Sequence, residues 1–167
     1  PPIAWDDPKD PIRPIIIPCE SETDNSGKLD ASNEARYTVA PGIEHKYRDT
    51  VLFLVSDVCG SFCRFCFRKR LFMHIKDKKE LVRDYSAGIN YIKQHPEITN
   101  VLLTGGEPLL LSTHKLERLI SALREIEHVG IIRIGTKIPV FNPYRILEGP
   151  SLPEMISKYS RPDKRIY

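Results

Sequence analysis

Cys59-Gly60-Ser61-Phe62-Cys63-Arg64-Phe65-Cys66 gathers three of the chain's four cysteines into a C-x3-C-x2-C spacing. It follows directly on Val51-Leu52-Phe53-Leu54-Val55, a run that predicts a buried strand. The cysteines therefore open a loop at the C-terminal end of that strand. On a straight helix the outer two would be strung out by roughly 10 Å along the axis. Gly60 and Ser61 are poor helix formers and let the backbone curl, so that three sulfurs can converge on one centre. Thiolate is the preferred ligand of iron–sulfur clusters, and three cysteines on a four-iron cluster leave one iron corner open. An open coordination position separates a reactive metal site from a closed structural one. Two other readings stand beside this. Cys63 and Cys66 alone make a C-x2-C pair, either a redox couple or half of a zinc site, though His74 stands alone where a second half-site would be needed. The thiols can also be plain buried side chains.

A second motif, Gly105-Gly106-Glu107-Pro108, follows another strand-like run, Asn100-Val101-Leu102-Leu103-Thr104. Glycines let a backbone come close to a ligand, and peptide carbonyls with a carboxylate suit an ammonium group. Alone, such a tetrapeptide is an ordinary strand-to-helix turn. Beside a cysteine triad at a neighbouring strand end, it points to a ligand.

The body alternates strand and helix, which predicts an α/β fold of parallel strands with right-handed crossovers. Strands are expected at about 51–55, 100–104, 131–135 and 164–167. Between them, Leu81, Tyr85, Ile89 and Ile92 recur at helical spacing, with Asp77 and Glu80 placed to cap the start and Pro96 to close it. Ser112 is the expected N-cap of a second helix whose stripe is Leu116, Leu119, Ile120 and Leu123. Ser151-Leu152-Pro153-Glu154 announces a third, running to about Tyr159. Both motifs lie at C-terminal strand ends, where parallel barrels and open α/β sheets carry their active sites. A complete eight-fold barrel takes about 250 residues, so 167 predict half of one, or an independent small sheet. Residues 1–44, rich in proline, read as an N-terminal arm, and 45–167 as a first half barrel, incomplete at its C-terminus. Proline at this density favours extended backbone; Pro14-Ile15-Ile16-Ile17-Pro18 can pin the arm to the body or to another subunit, and a disordered linker is the equal alternative. Pro41-Gly42 marks a turn, and His45-Lys46-Tyr47-Arg48 a basic surface. The start at Pro1-Pro2 and the strand-like end at Tyr167 predict a piece of a longer protein.

A charged share of 28% with a net charge of +3 is too even to favour nucleic acid. No stretch approaches the roughly 20 apolar residues of a membrane span, and no signal opens the chain. Free cysteines destined for a cluster point to a reducing cytoplasm.

The cysteine spacing after a first strand, with an aromatic before the last cysteine, together with the GGEP turn, resembles the radical S-adenosylmethionine (SAM) superfamily. His45-Lys46-Tyr47-Arg48-Asp49, Cys63-Arg64-Phe65-Cys66-Phe67-Arg68-Lys69-Arg70 and Arg133-Ile134-Gly135-Thr136-Lys137-Ile138-Pro139-Val140 extend the resemblance to the lysine 2,3-aminomutase family, over about residues 31–167. The resemblance implies a partial (β/α) barrel and a [4Fe-4S] cluster on Cys59, Cys63 and Cys66. It implies SAM at Gly105, Gly106, Glu107 and Pro108, with Phe65 beside it, and reductive cleavage of SAM to methionine and a radical that abstracts substrate hydrogen. Phe62, Phe65 and Phe67 suit a dry wall near the adenine. Arg68 matches the arginine that pairs with a substrate carboxylate, a role its planar fork fits. Lys46 and Thr50 fall where the family has arginines for the phosphate of pyridoxal phosphate (PLP), and the PLP lysine would lie beyond residue 167. The implied reaction is migration of an amino group on an amino acid, fed by a reductant such as flavodoxin or ferredoxin; separately, the arm offers a route to a homo-oligomer. The same enzyme class without PLP, or a zinc or iron–sulfur module without catalysis, are the alternatives.

Overall fold

The computed structural model describes residues 4–24, 26–61, 63–72, 84–148 and 151–167, Phe72 by its backbone alone. The expectations on Phe62, His74, Asp77, Glu80 and Leu81 fall outside these residues. At the centre is a five-stranded sheet in the order β1-β2-β3-β4-β5. The strands are β1 Thr38–Ala40, β2 Ile43–Tyr47, β3 Thr50–Ser56, β4 Asn100–Gly105 and β5 Ile131–Ile134. β3, β4 and β5 are parallel, with Val51 opposite Val101 and Val101 opposite Ile132. A further parallel neighbour begins at the end of the chain: Ile166 bridges Ile132, and Ile134 N–H donates to the Tyr167 carbonyl at 2.8 Å. The result is an unclosed α/β sheet, consistent with the partial barrel predicted.

Alternation sorts the two faces of the sheet. Val51, Phe53, Val55, Val101, Leu103 and Ile132 face the helices and are fully buried. Leu52 and Leu102, half-buried, face the other way, as do their register partners Glu44 and Arg133. Three helices cover the first face: α1 Ser86–Gln94, α2 Thr113–Arg124 and α3 Ser151–Tyr159. In α2 the expected cap forms, Ser112 Oγ accepting from Lys115 N–H at 3.3 Å, and all four residues of the apolar stripe are buried. Burying each contributes about 1.5–3 kcal/mol. In α1, Ile92 is buried while Ile89 and Tyr85 pack on the core, Tyr85 donating its hydroxyl to the Val55 carbonyl at 2.8 Å. The helix ends at Gln94, ahead of Pro96. The expected third helix is present as α3, with Leu152 and Met155 buried.

Two regions depart from expectation. Residues 38–47 form a hairpin on the edge of β3, turning at Pro41-Gly42, where Gly42 has φ 72°. Pro followed by a positive-φ Gly is the type II turn chemistry. The hairpin buries Ile43 and Glu44, while Lys46, Tyr47 and Arg48 are exposed, so the basic surface stands and is carried by a strand and its turn that the sequence did not announce. The arm is also less extended than its prolines suggest. Arg13–Ile16 forms a helical turn with Pro14 near its start, where a missing N–H costs nothing. It is pinned to its own body: Arg64 N–H, inside the cysteine loop, donates to the Ile15 carbonyl at 2.8 Å. The Glu22 carboxylate takes both Nε and Nη2 of Arg64, with Lys69 Nζ 3.6 Å away.

Gly88 lets α1 lie close on the sheet: a Cβ there would stand 2.6 Å from the Phe53 ring and 3.1 Å from Ile43. Alanine gains about 1 kcal/mol of helix propensity, but overpacking against a buried ring costs about 1–3 kcal/mol. Gly88→Ala is therefore expected to lower the melting temperature, and Phe53→Leu in the same chain to recover part of it, as read by thermal denaturation. The hydrogen bonds from Arg64 hold Glu22 at about 2, below the usual 4.5. A lowered folded-state value means that docking of the arm contributes fully above pH 4.5 and fades as pH falls towards 2. Hydrogen exchange at the arm is expected to rise over that window in the native chain, while Glu22→Gln shows raised exchange already at neutral pH.

Candidate functional site

Three loops leave the C-terminal ends of β3, β4 and β5, and they line one cavity of about 400 Å³. The first carries the cysteines. Ser56 ends β3 and clamps the departing chain, its Oγ donating to the Val58 carbonyl at 3.1 Å. Cys59, Cys63 and Cys66 are half-buried and all line the cavity, with a tight turn made by Cys66 N–H on the Cys63 carbonyl at 3.0 Å. Cys19, alone in the arm, is exposed. Burial, with added repulsion from Cys66, Glu107 and Cys63, pushes the Cys59 thiol up to about 11. Three thiolates this near one another need strong positive charge among them, which metal ions supply.

Among the described residues no three His, Cys, Asp or Glu side chains are gathered closely enough to share one metal ion. A four-iron cluster takes each cysteine on a different iron, so its sulfurs need not meet on one metal ion. The all-sulfur donor set and the size of the cavity fit a cluster.

The second loop is Gly105-Gly106-Glu107-Pro108. Its glycines serve the protein's own backbone first. Gly105 has φ 114°, and a Cβ there would stand 2.6 Å from the Ser56 carbonyl oxygen; one on Gly106 would stand 2.4 Å from that of Val58. The closeness allows two hydrogen bonds, Gly106 N–H to Ser56 at 2.7 Å and Glu107 N–H to Val58 at 2.8 Å. The turn is thereby stitched to the stem of the cysteine loop. Glu107 is buried and links onward to the third loop. Its Oε1 accepts from Leu109 N–H at 2.9 Å and the Thr136 hydroxyl at 2.6 Å, and its Oε2 from Lys137 N–H at 2.8 Å. A carboxylate has about four acceptor sites, so one on Oε2 remains for a ligand. Pro108 opens a 3-10 turn that Glu107 caps.

Thr136 and Lys137, held by Glu107, were not singled out from their residue types. The rule that places sites at parallel strand ends, applied to β5, would have found them. The aromatic residues are placed at the rim. Phe65 lines the cavity but is 60% exposed, with Lys137 Nζ 5.0 Å above its ring. Phe67 stands between this cavity and a smaller one of about 150 Å³.

Arg68 lines both cavities. Its guanidinium lies 4.9 Å over Phe67, and Nη1 donates to Thr104 Oγ1 at 3.1 Å. Nε donates to Glu34 Oε1 at 2.8 Å, and Nη2 stands 2.7 Å from the same oxygen. Glu34, and the hairpin's Glu44 at 3.9 Å, carried no sequence signal. Lys46 is exposed and lines only the smaller cavity, its Nζ 5.3 Å from the Tyr37 ring. Thr50 lines neither cavity, and its hydroxyl is bonded to Asp49 at 2.9 Å.

Comparison with known proteins agrees with this geometry. The chain is 55% identical over 166 residues to a protein of Aquifex aeolicus named putative L-lysine 2,3-aminomutase, covering 99% of this chain and 44% of that one. It is 41% identical over 159 residues to the L-lysine 2,3-aminomutase of Acetoanaerobium sticklandii (94% and 38%) and 41% over 155 to that of Clostridium subterminale (92% and 36%). The chain thus spans less than half the length of these relatives. A family profile described as the radical SAM superfamily matches residues 53–161, from within β3 through the cysteine loop and the GGEP turn to the end of α3. On that match, the chain belongs to the radical SAM superfamily.

Proposed function

We propose that the chain carries the cluster- and SAM-binding part of an enzyme that starts radical chemistry on an amino acid, with amino-group migration as the reaction. The observation that supports it is the single cavity in which three thiols and the GGEP turn meet, stitched together through Ser56 and Val58. Cys59, Cys63 and Cys66 would hold a [4Fe-4S] cluster. Gly105, Gly106, Glu107 and Pro108 would form the SAM turn, with Phe65 beside it. Bound together, cluster and SAM supply one-electron cleavage of a sulfonium and hydrogen-atom abstraction.

The protein's own residues do the holding. The remaining acceptor site of Glu107 takes an ammonium, and because the carboxylate is already fixed by three donors it does so without reorganising. Arg68 offers its fork to a substrate carboxylate in a half-buried position where such a pair is strong. Phe65 and Phe67 line the rim of the same cavity and are exposed there, so the dry wall expected of them is not formed by these residues alone. PLP is less well served: Lys46 can bind phosphate as a point charge, but Glu34 and Glu44 line the same cavity. The described residues make only part of a PLP site, and no step is routed through it. Low-potential electrons imply a partner such as flavodoxin or ferredoxin and a reducing compartment, the cytoplasm. Among the described residues no helix is long and apolar enough to cross a membrane.

Anaerobic reconstitution is expected to give about four irons and four sulfides per chain. Alanine at Cys59, Cys63 or Cys66 should remove the cluster, read by iron and sulfide analysis and the visible spectrum. Zinc without sulfide would overturn the reading. Arg68→Ala should raise the KM for the amino acid about 10–100-fold while leaving reductive SAM cleavage within a few-fold. Equal loss of both would show that Arg68 serves the SAM site instead.

A further inference from the structure

Arg68 is not a loose surface arginine. Five N–H groups radiate from a guanidinium, and the bonds already made leave a definite remainder. Nε and Nη2 form one edge, and both lie against Glu34 Oε1, at 2.8 and 2.7 Å. Nη1 gives one hydrogen to Thr104 at 3.1 Å, and Glu44 at 3.9 Å is beyond hydrogen-bond reach of Nη2. One N–H on Nη1 and one on Nη2 remain, and the edge these two nitrogens share carries neither Glu34 contact. That is the fork a carboxylate binds bidentately.

We infer that Glu34 is the positioning residue for Arg68: its buried carboxylate fixes the inner edge of the guanidinium and so presents the outer edge to the cavity. Three observations carry this. Glu34 is 4% exposed, so its carboxylate is committed to the protein rather than to water. It sits on a helical turn, Glu34–Tyr37, that leads straight into β1, so its place is set by the sheet. Its second oxygen lies 3.4 Å from Arg70 Nη2, with Asp30 3.6 Å beyond. The carboxylate is thus held between two guanidiniums, which fixes it from both sides.

The inference rests on the role proposed above for Arg68, and the test separates the two. L-lysine and L-glutamate serve as probes on the anaerobically reconstituted full chain. Equilibrium dialysis reads their binding, steady-state kinetics read KM and kcat, and methionine release without amino acid reads SAM cleavage. Glu34→Ala is expected to weaken binding of the accepted amino acid about 10–100-fold and to raise KM alike, with SAM cleavage within threefold. Glu34→Gln keeps an acceptor oxygen and should recover part of that loss, leaving binding about 3–10-fold weak. In Arg68→Ala, adding Glu34→Ala should change nothing further. If Glu34→Ala does not fold, Glu34→Gln carries the test, and unchanged binding overturns the inference. Additive losses in the double variant overturn it as well. If Arg68→Ala abolishes binding while both Glu34 variants bind normally, the inference falls and the role of Arg68 stands. If Arg68→Ala binds normally, or neither probe binds the unaltered chain, the underlying reading falls and takes the inference with it.

Discussion

Two backbone hydrogen bonds, from Gly106 to Ser56 and from Glu107 to Val58, join the loops after β3 and β4 into one body. They need a separation that only glycine permits, since a Cβ on Gly105 or Gly106 would run into the same two carbonyls. Cysteine thiols and ligand turn therefore cannot drift apart without breaking the sheet's own extension. Glu107 adds a third strand end by taking the Thr136 hydroxyl and the Lys137 amide. The function proposed above gains from this, because geometry held within a fraction of an ångström is what preorganised catalysis requires.

Much of this was legible before any coordinates. The cysteine spacing and the GGEP turn were readable because each follows a strongly apolar run, and strand ends of parallel sheets are where chemistry gathers. α2 was readable because a good cap precedes a four-residue stripe. The hairpin at 38–47 was not. Its strands are three and five residues long, and a glutamate at position 44 reads as surface until Arg68 is known to lie near it. The structural work of Glu107 was equally hidden, for its partners are 29 and 30 residues away. Pairings set by the third dimension leave no trace in local pattern.

The arm illustrates the same limit from the other side. Its composition argued for loose or extended chain, yet Glu22 and Ile15 grip Arg64, between the first and last cysteines. Farther along, Asp30 and Glu34 meet Arg70 and Arg68 just past them. Acidic groups before the barrel thus answer basic groups after the cysteines, one pair after another. Exposed pairs of this kind contribute little each, but the ones around Glu34 are withdrawn from solvent, where geometry rather than strength is what they supply.

The hairpin has a bearing on growth of the sheet. β2 runs antiparallel along the flank of β3 and uses up the hydrogen-bonding edge where a closing parallel strand would otherwise dock. Additional strands can extend the parallel series only from β5, where Ile166 has begun to do so. A barrel assembled on this plan carries a permanent seam beside its first parallel strand, and Lys46 and Glu44 stand on the hairpin that borders it.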